Sequence, residues 1–119
     1  MWIWKSAEGE LWKDGKLVAE GYSGAPGFIN DVTKEHLKCQ GPIPRGKWHI
    51  GSTVSSFAKV GPLAIRLSPV GHDAKGRSAF LIHGDSLKRP GTASEGCIIL
   101  PRAARLLISQ SSDRELVVV

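Results

Sequence analysis

A two-residue turn constrains this chain more than any other local feature. Asp14-Gly15 stands between Glu10-Leu11-Trp12-Lys13 and Lys16-Leu17-Val18-Ala19. Asp-Gly between strand-like runs is the strongest short-range signal for a β-hairpin, because the favoured turn needs positive φ at both central positions. With Trp2-Ile3-Trp4 ahead of it, the segment 2–23 reads as a hairpin or meander. Leu63-Ala64-Ile65-Arg66-Leu67-Ser68 alternates, which sets Leu63, Ile65 and Leu67 on one face of a half-buried strand. Lys47-Trp48-His49-Ile50-Gly51, the run from Ser78 to His83, and Leu116-Val117-Val118-Val119 supply further strands. Asn30-Asp31 can cap a helix of two turns over the run from Val32 to Lys38. A second helix follows Pro101, with Ala103, Ala104, Leu106, Leu107 and Ile108 at apolar helical spacing and Arg102 and Arg105 on the other side. The expected class is mostly β with one or two short helices (α+β). At 119 residues the chain fits one domain with one core, 1–119.

Sixteen Lys and Arg against eleven Asp and Glu give a net charge of +5, which favours anionic partners. Nucleic acid and the anionic peptidoglycan envelope both qualify, but the basic residues are spread along the chain without a cluster, which points away from nucleic acid. No run approaches the roughly 18 apolar residues that span a bilayer. Met1-Trp2-Ile3-Trp4-Lys5 has no basic region leading into an apolar one, so no cleavable signal peptide and no membrane insertion are expected. His36 and Cys39 lie three apart, yet only His83 and Cys97 could complete a zinc set with them, so no metal and no cofactor are expected. Four Trp fit either sugar stacking or the cover of a half-buried sheet end, and the second use is commoner.

The chemistry concentrates in Phe80-Leu81-Ile82-His83-Gly84-Asp85 and Thr92-Ala93-Ser94-Glu95-Gly96-Cys97-Ile98. One apolar run delivers a His to a strand end; a turn of small residues delivers a Cys to the start of another. A thiol attacks as thiolate, and a nearby imidazole or helix N-terminus is the ordinary means of generating one. His83 offers the first and the Pro101 segment the second. The Gly84 carbonyl or the Asp85 carboxylate could fix the imidazole tautomer. Gly96 lets backbone approach a carbonyl closely, and N–H groups around Gly96 and Cys97 could hold an oxyanion. Glu95 would oppose thiolate formation if it faced the sulfur, so it is expected to point away. Cys39 is expected to be a buried or partly buried thiol, alkylated more slowly than Cys97.

His83-Gly84 followed, across a gap of somewhat more than a dozen residues, by Ser94-x-Gly96-Cys97 resembles the active-site signature of the L,D-transpeptidase catalytic domain. Glu95 stands where that family commonly has a second His. This and the segments Tyr22-Ser23-Gly24 and Gly41-Pro42-Ile43-Pro44-Arg45-Gly46-Lys47-Trp48 are closer to its small branch, the type VI secretion L,D-transpeptidase effectors and phage-borne relatives. The resemblance implies a β-sandwich whose catalytic Cys precedes a helix, and acyl transfer on peptidoglycan stem peptides with Cys97 as nucleophile and His83 as base. It implies Tyr22 and Ser23 near the catalytic cleft, as substrate-side groups or as a hydrogen-bonded corner. Ser94 is expected to shape the turn or to contact substrate, and Asp85 and Arg45, whose fork suits a stem carboxylate unless it is a solvated turn residue, are further substrate-side candidates. Action in the periplasm or cell wall after delivery by a secretion machine or phage lysis, as a monomer, with a dedicated immunity protein in the type VI case, follows from the same resemblance. The competing reading is a non-catalytic peptidoglycan-binding module that uses its Trp side chains and basic residues.

Overall fold

A computed structural model describes residues 1–54 and 63–119. Nine strands form one sheet: β1 (Trp2–Lys5), β2 (Glu10–Lys13), β3 (Lys16–Glu20), β4 (Tyr22–Ser23), β5 (Gly46–Val54), β6 (Ala64–Val70), β7 (Phe80–His83), β8 (Ile98–Ile99) and β9 (Glu115–Val118). Their order is β3-β2-β1-β9-β5-β6-β7-β8-β4. One α-helix, α1 (Arg102–Gln110), and two 3-10 turns, Val32–Lys34 and Ala74–Gly76, complete the described elements. The mostly β, α+β class holds. The hairpin turn is the expected one, with φ of 50° at Asp14 and 78° at Gly15.

The sheet nearly closes on itself, and a glycine makes that possible. Its two outermost strands, β3 and β4, are consecutive in the chain and joined through Gly21. The Gly21 N–H donates to the Gly9 carbonyl at 2.8 Å. A Cβ on Gly21 would lie 1.9 Å from the Ile99 carbonyl oxygen, so any other residue would push β4 off β8. Parallel pairing occurs twice, β1 with β9 and β7 with β8; the rest is antiparallel.

Trp2, Trp4 and Trp48 are buried in the core beside Leu11, Ile43, Ile50, Ile65, Ile82, Ile98, Ile108 and Leu116. Burying the 150–250 Å² of such a ring is worth about 4 to 6 kcal/mol, so these residues build the fold and are not a surface for sugar. Trp48 packs edge-on against Phe80 with centroids 4.8 Å apart and donates from Nε1 to the Pro44 carbonyl at 3.0 Å.

Two expectations change here. The helix after Asp31 is a single 3-10 turn, Val32–Lys34, with the Asp31 carboxylate accepting from the Thr33 N–H at 3.1 Å. The chain then continues in hydrogen-bonded turns, Leu37 N–H to the Lys34 carbonyl and Gly41 N–H to the Leu37 carbonyl, and doubles back so closely that a Cβ on Gly41 would sit 1.8 Å from the Lys34 carbonyl oxygen. In α1 the buried residues are Ala104, Arg105 and Ile108, while Leu106 and Leu107 are exposed. Arg105 turns inward because the fold leaves carbonyls for it: Nε donates to Leu100 and Nη1 to Leu63, each at 3.1 Å. No helix among the described residues is long and apolar enough to cross a membrane.

Candidate active site

The pairing of β7 with β8 sets the two singled-out residues on neighbouring segments that line one cavity. Ile82 lies opposite Ile98, and His83 opposite Ile99, in parallel register. One step back along both strands, Cys97 faces Leu81. Side chains alternate along a pleated strand, so Leu81, His83 and Cys97 share one face while Ile82 and Ile98 point into the core. Strand spacing near 4.8 Å and a two-residue rise near 6.6 Å set the Cα atoms of Cys97 and His83 about 8 Å apart, a separation that an imidazole and a thiol can bridge. That face opens on a cavity of about 1110 Å³ lined by His83, Gly84, Asp85, Gly96 and Cys97, with Leu81 and Arg77 in its wall.

His83 is buried, and its Nδ1 lies 2.9 Å from the Gly84 carbonyl oxygen. A carbonyl only accepts, so Nδ1 carries the proton and Nε2 keeps its lone pair. Gly84 cannot readily be larger: a Cβ there would come 2.7 Å from Nη2 of Arg105. Burial lowers the His83 pKa below its usual 6.5, helped by the Arg105 charge and opposed by the Gly84 hydrogen bond and Asp85. Near neutral pH the imidazole is therefore a neutral base.

Cys97 does not rest as a thiolate. Burial pushes its thiol up to about 11; the Glu95 charge adds to the rise, while a hydrogen bond from the Leu81 backbone and the Arg77 charge oppose it. The thiol approaches the Ala79 carbonyl at 3.8 Å. Along the chain, β8, Leu100 and Pro101 lie between Cys97 and α1. Glu95 is exposed at the cavity rim.

Several expected substrate contacts are placed elsewhere. Ser94 is 1% exposed. Its Oγ accepts from the N–H of Gly24 at 2.9 Å and of Gly96 at 3.1 Å, and donates to the Cys97 carbonyl at 2.7 Å. The hydroxyl shapes the turn from behind, and it occupies the Gly96 N–H that was expected to serve an oxyanion. Ser23 is likewise buried, accepting from the Ile43 N–H at 2.8 Å and donating to the Gly96 carbonyl at 3.2 Å. Arg45 lies outside the cavity wall and forms a forked pair with Glu35, through Nε at 3.1 Å and Nη2 at 3.3 Å. Tyr22 donates to the Asp85 carboxylate at 2.6 Å and accepts from the Ala93 N–H at 3.0 Å. Asp85 also accepts from the N–H groups of Ser86 and Gly91, so this pair fastens the segment linking His83 to Cys97. It is the Gly84 carbonyl, not Asp85, that contacts the imidazole.

Cys39 is exposed, contrary to expectation, with φ of 59° on the tight turn before Gly41, and it lines the same cavity as Cys97. His72 holds the loop ahead of β7, with Nε2 2.8 Å from the Lys47 carbonyl oxygen and Nδ1 accepting from the Ala74 N–H; the Asp73 carboxylate accepts from the Lys75 N–H. Among the described residues no three His, Cys, Asp or Glu gather as metal ligands would.

Sequence reasoning missed Arg77 and Arg105. Both are buried and line the cavity. Charged residues read as surface by default, and the only signal against it was that the two motif glycines, Gly84 and Gly96, leave space that a long side chain can fill.

The family described as the Tlde1 domain matches residues 18–118. Comparison with curated proteins gives no match.

Proposed function

The chain belongs to the Tlde1 domain family, one of type VI secretion L,D-transpeptidase effectors that act enzymatically on the cell wall, and on that premise we propose that it performs cysteine-dependent acyl transfer on peptidoglycan stem peptides. Cys97 Sγ attacks the carbonyl joining the L centre of the diamino acid to the terminal D-alanine. As the C–S bond forms, His83 Nε2 takes the thiol proton, and the electron pair of the C=O bond moves to oxygen. Collapse of that oxyanion breaks the C–N bond, and the imidazolium returns the proton to the departing amine. Water, a free D-amino acid or a neighbouring stem then opens the thioester, giving trimming, exchange or a cross-link.

The observation that carries this reading is the shared face of β7 and β8. It sets a neutral imidazole, held by Gly84 with Nε2 unprotonated, and a thiol on the lining of one cavity. With the thiol pushed up to about 11 and the imidazole pushed down, proton transfer accompanies attack instead of preceding it. The N–H of Cys97 is the backbone donor assigned to the oxyanion, since Gly96 serves Ser94. Each such donor supplies about 3 to 4 kcal/mol in comparable acyl-transfer sites. The enzyme acts as a monomer in the periplasm, and a dedicated immunity protein covers it in the producing cell.

Incubation with tetrapeptide muropeptides tests the proposal. Mass spectrometry should register loss of terminal D-alanine, and Cys97→Ala should abolish it. Turnover that survives Cys97→Ala would remove the thioester mechanism, and unaltered muropeptides with retained wall binding would favour a binding module.

A further inference from the structure

We propose that Arg77 is a positioning residue for this acyl transfer: its guanidinium ties the segment carrying Cys97 to the Gly41-Pro42 turn and keeps a positive charge beside the sulfur. The inference rests on the reading of Cys97 as nucleophile. Arg77 enters from the loop ahead of β7 and is buried. Its Nη1 donates to the carbonyls of Glu35 and of Pro42, the latter at 2.8 Å. Its Nη2 donates to the Gly41 carbonyl at 3.0 Å and reaches the Glu95 carbonyl at 3.4 Å. The cation also stands over the Phe80 ring, 5.1 Å from its centroid. One side chain thus ties two segments distant in sequence, Glu35 to Pro42 and the one at Glu95, to its own, and all three contribute residues to the cavity wall.

Gly96 records how close this packing is. A Cβ there would fall 2.2 Å from Nη2 of Arg77, at a φ of 127° that L side chains rarely adopt. The motif glycine before the nucleophile is therefore required by the guanidinium as much as by the turn. The four Nη donor positions are directed at carbonyls, so Arg77 acts on Cys97 through position and charge, not as a donor to substrate. A Lys would supply the charge without the planar fork that four carbonyls need. Glu95, exposed at the rim, is the opposing charge; on a thiol whose acidity is governed first by burial, the two charges act in opposite directions.

The test follows the pH dependence of Cys97 alkylation by iodoacetamide, resolved by peptide from Cys39, together with D-alanine release from tetrapeptide muropeptides. Arg77→Gln should move the alkylation midpoint up by about one unit, a tenfold loss of thiolate at fixed pH, and lower kcat/KM about 100-fold through misplacement of the sulfur. Arg77→Lys should restore most of the midpoint but little of kcat. Glu95→Gln, an exposed change that leaves packing intact, should move the midpoint down, and this arm stands even if the Arg77 variants do not fold. Arg77→Lys with wild-type kcat, or folded Arg77→Gln with wild-type midpoint and turnover, would overturn the inference, whereas a midpoint unmoved by Glu95→Gln would remove only the opposing charge from it. Full turnover in Cys97→Ala would instead overturn the nucleophile assignment beneath it.

Discussion

Replacing Ser94 by Ala separates a scaffold role from a substrate role, and the size of the effect can be worked from its hydrogen bonds. The change removes one oxygen from a site 1% exposed. It strands the N–H groups of Gly24 and Gly96 and the carbonyl of Cys97, now bonded at 2.9, 3.1 and 2.7 Å. A buried polar group left without a partner costs about 1 to 3 kcal/mol. Three such groups, at the lower end because the loop can relax, give about 3 kcal/mol. For a domain of this size each kcal/mol lowers Tm by roughly 3 to 5 °C, so the expected drop is about 10 to 15 °C. Thermal unfolding followed by circular dichroism measures it, with muropeptide turnover below the transition as the second reading. Ser23 grips the same loop through the Gly96 carbonyl, so Ser23→Ala and Ser94→Ala should couple in a double-mutant cycle by at least about 0.5 kcal/mol. A Ser94→Ala protein within about 3 °C of wild type whose defect is confined to KM would refute the argument and return the hydroxyl to the substrate side.

Further expectations concern the site's protonation and its packing. Because burial holds His83 below its usual 6.5 and holds the Cys97 thiol at about 11, kcat/KM should rise with pH along one limb centred below 6.5, as the imidazole loses its proton. It should then stay level through about pH 8; an acid limb centred above about pH 7 would contradict a neutral base. Iodoacetamide at neutral pH should label exposed Cys39 before Cys97 in the free enzyme, and the reverse order would mean that the sulfur rests as thiolate after all. Gly96→Ala places a Cβ against Arg77, whereas Gly15→Ala meets nothing within 4 Å. The second should cost only about 1 kcal/mol of backbone strain and the first several times more, read as the difference between their urea midpoints. Tyr22→Phe removes the hydroxyl that joins Asp85 to Ala93. It should lower stability by about 1 to 2 kcal/mol and reduce turnover; unchanged melting would show that the tether carries no load.

Local chemistry by itself determined a good deal of this protein. Asp14-Gly15 names its own turn, because few residue pairs tolerate two positive φ values in succession. The alternation Ile65, Arg66, Leu67 in β6 follows the period of two expected of a strand, but Leu63, expected on the same face, lies outside β6 at a φ of 60°, and Ala64 on the other face is also buried. His83 and Cys97 could be singled out from residue type, spacing and a resemblance to one family, since a base and a thiol beside small residues leave a mark on the sequence itself, and both line the cavity. What tertiary structure alone decided is where charge and burial fall. Arg105 reads as the outer face of a helix, yet carbonyls from Leu63 and Leu100 draw it inside, and Leu107 is left out. Arg45, written beside the candidate cleft, is claimed by Glu35, while Arg77, which nothing local distinguishes, enters the cavity wall. Hydrogen-bond partners for a buried cation come from segments tens of residues away, so no local pattern encodes them. The same holds for the thiol's acidity, which depends on how much water and which charges the folded chain leaves around one sulfur.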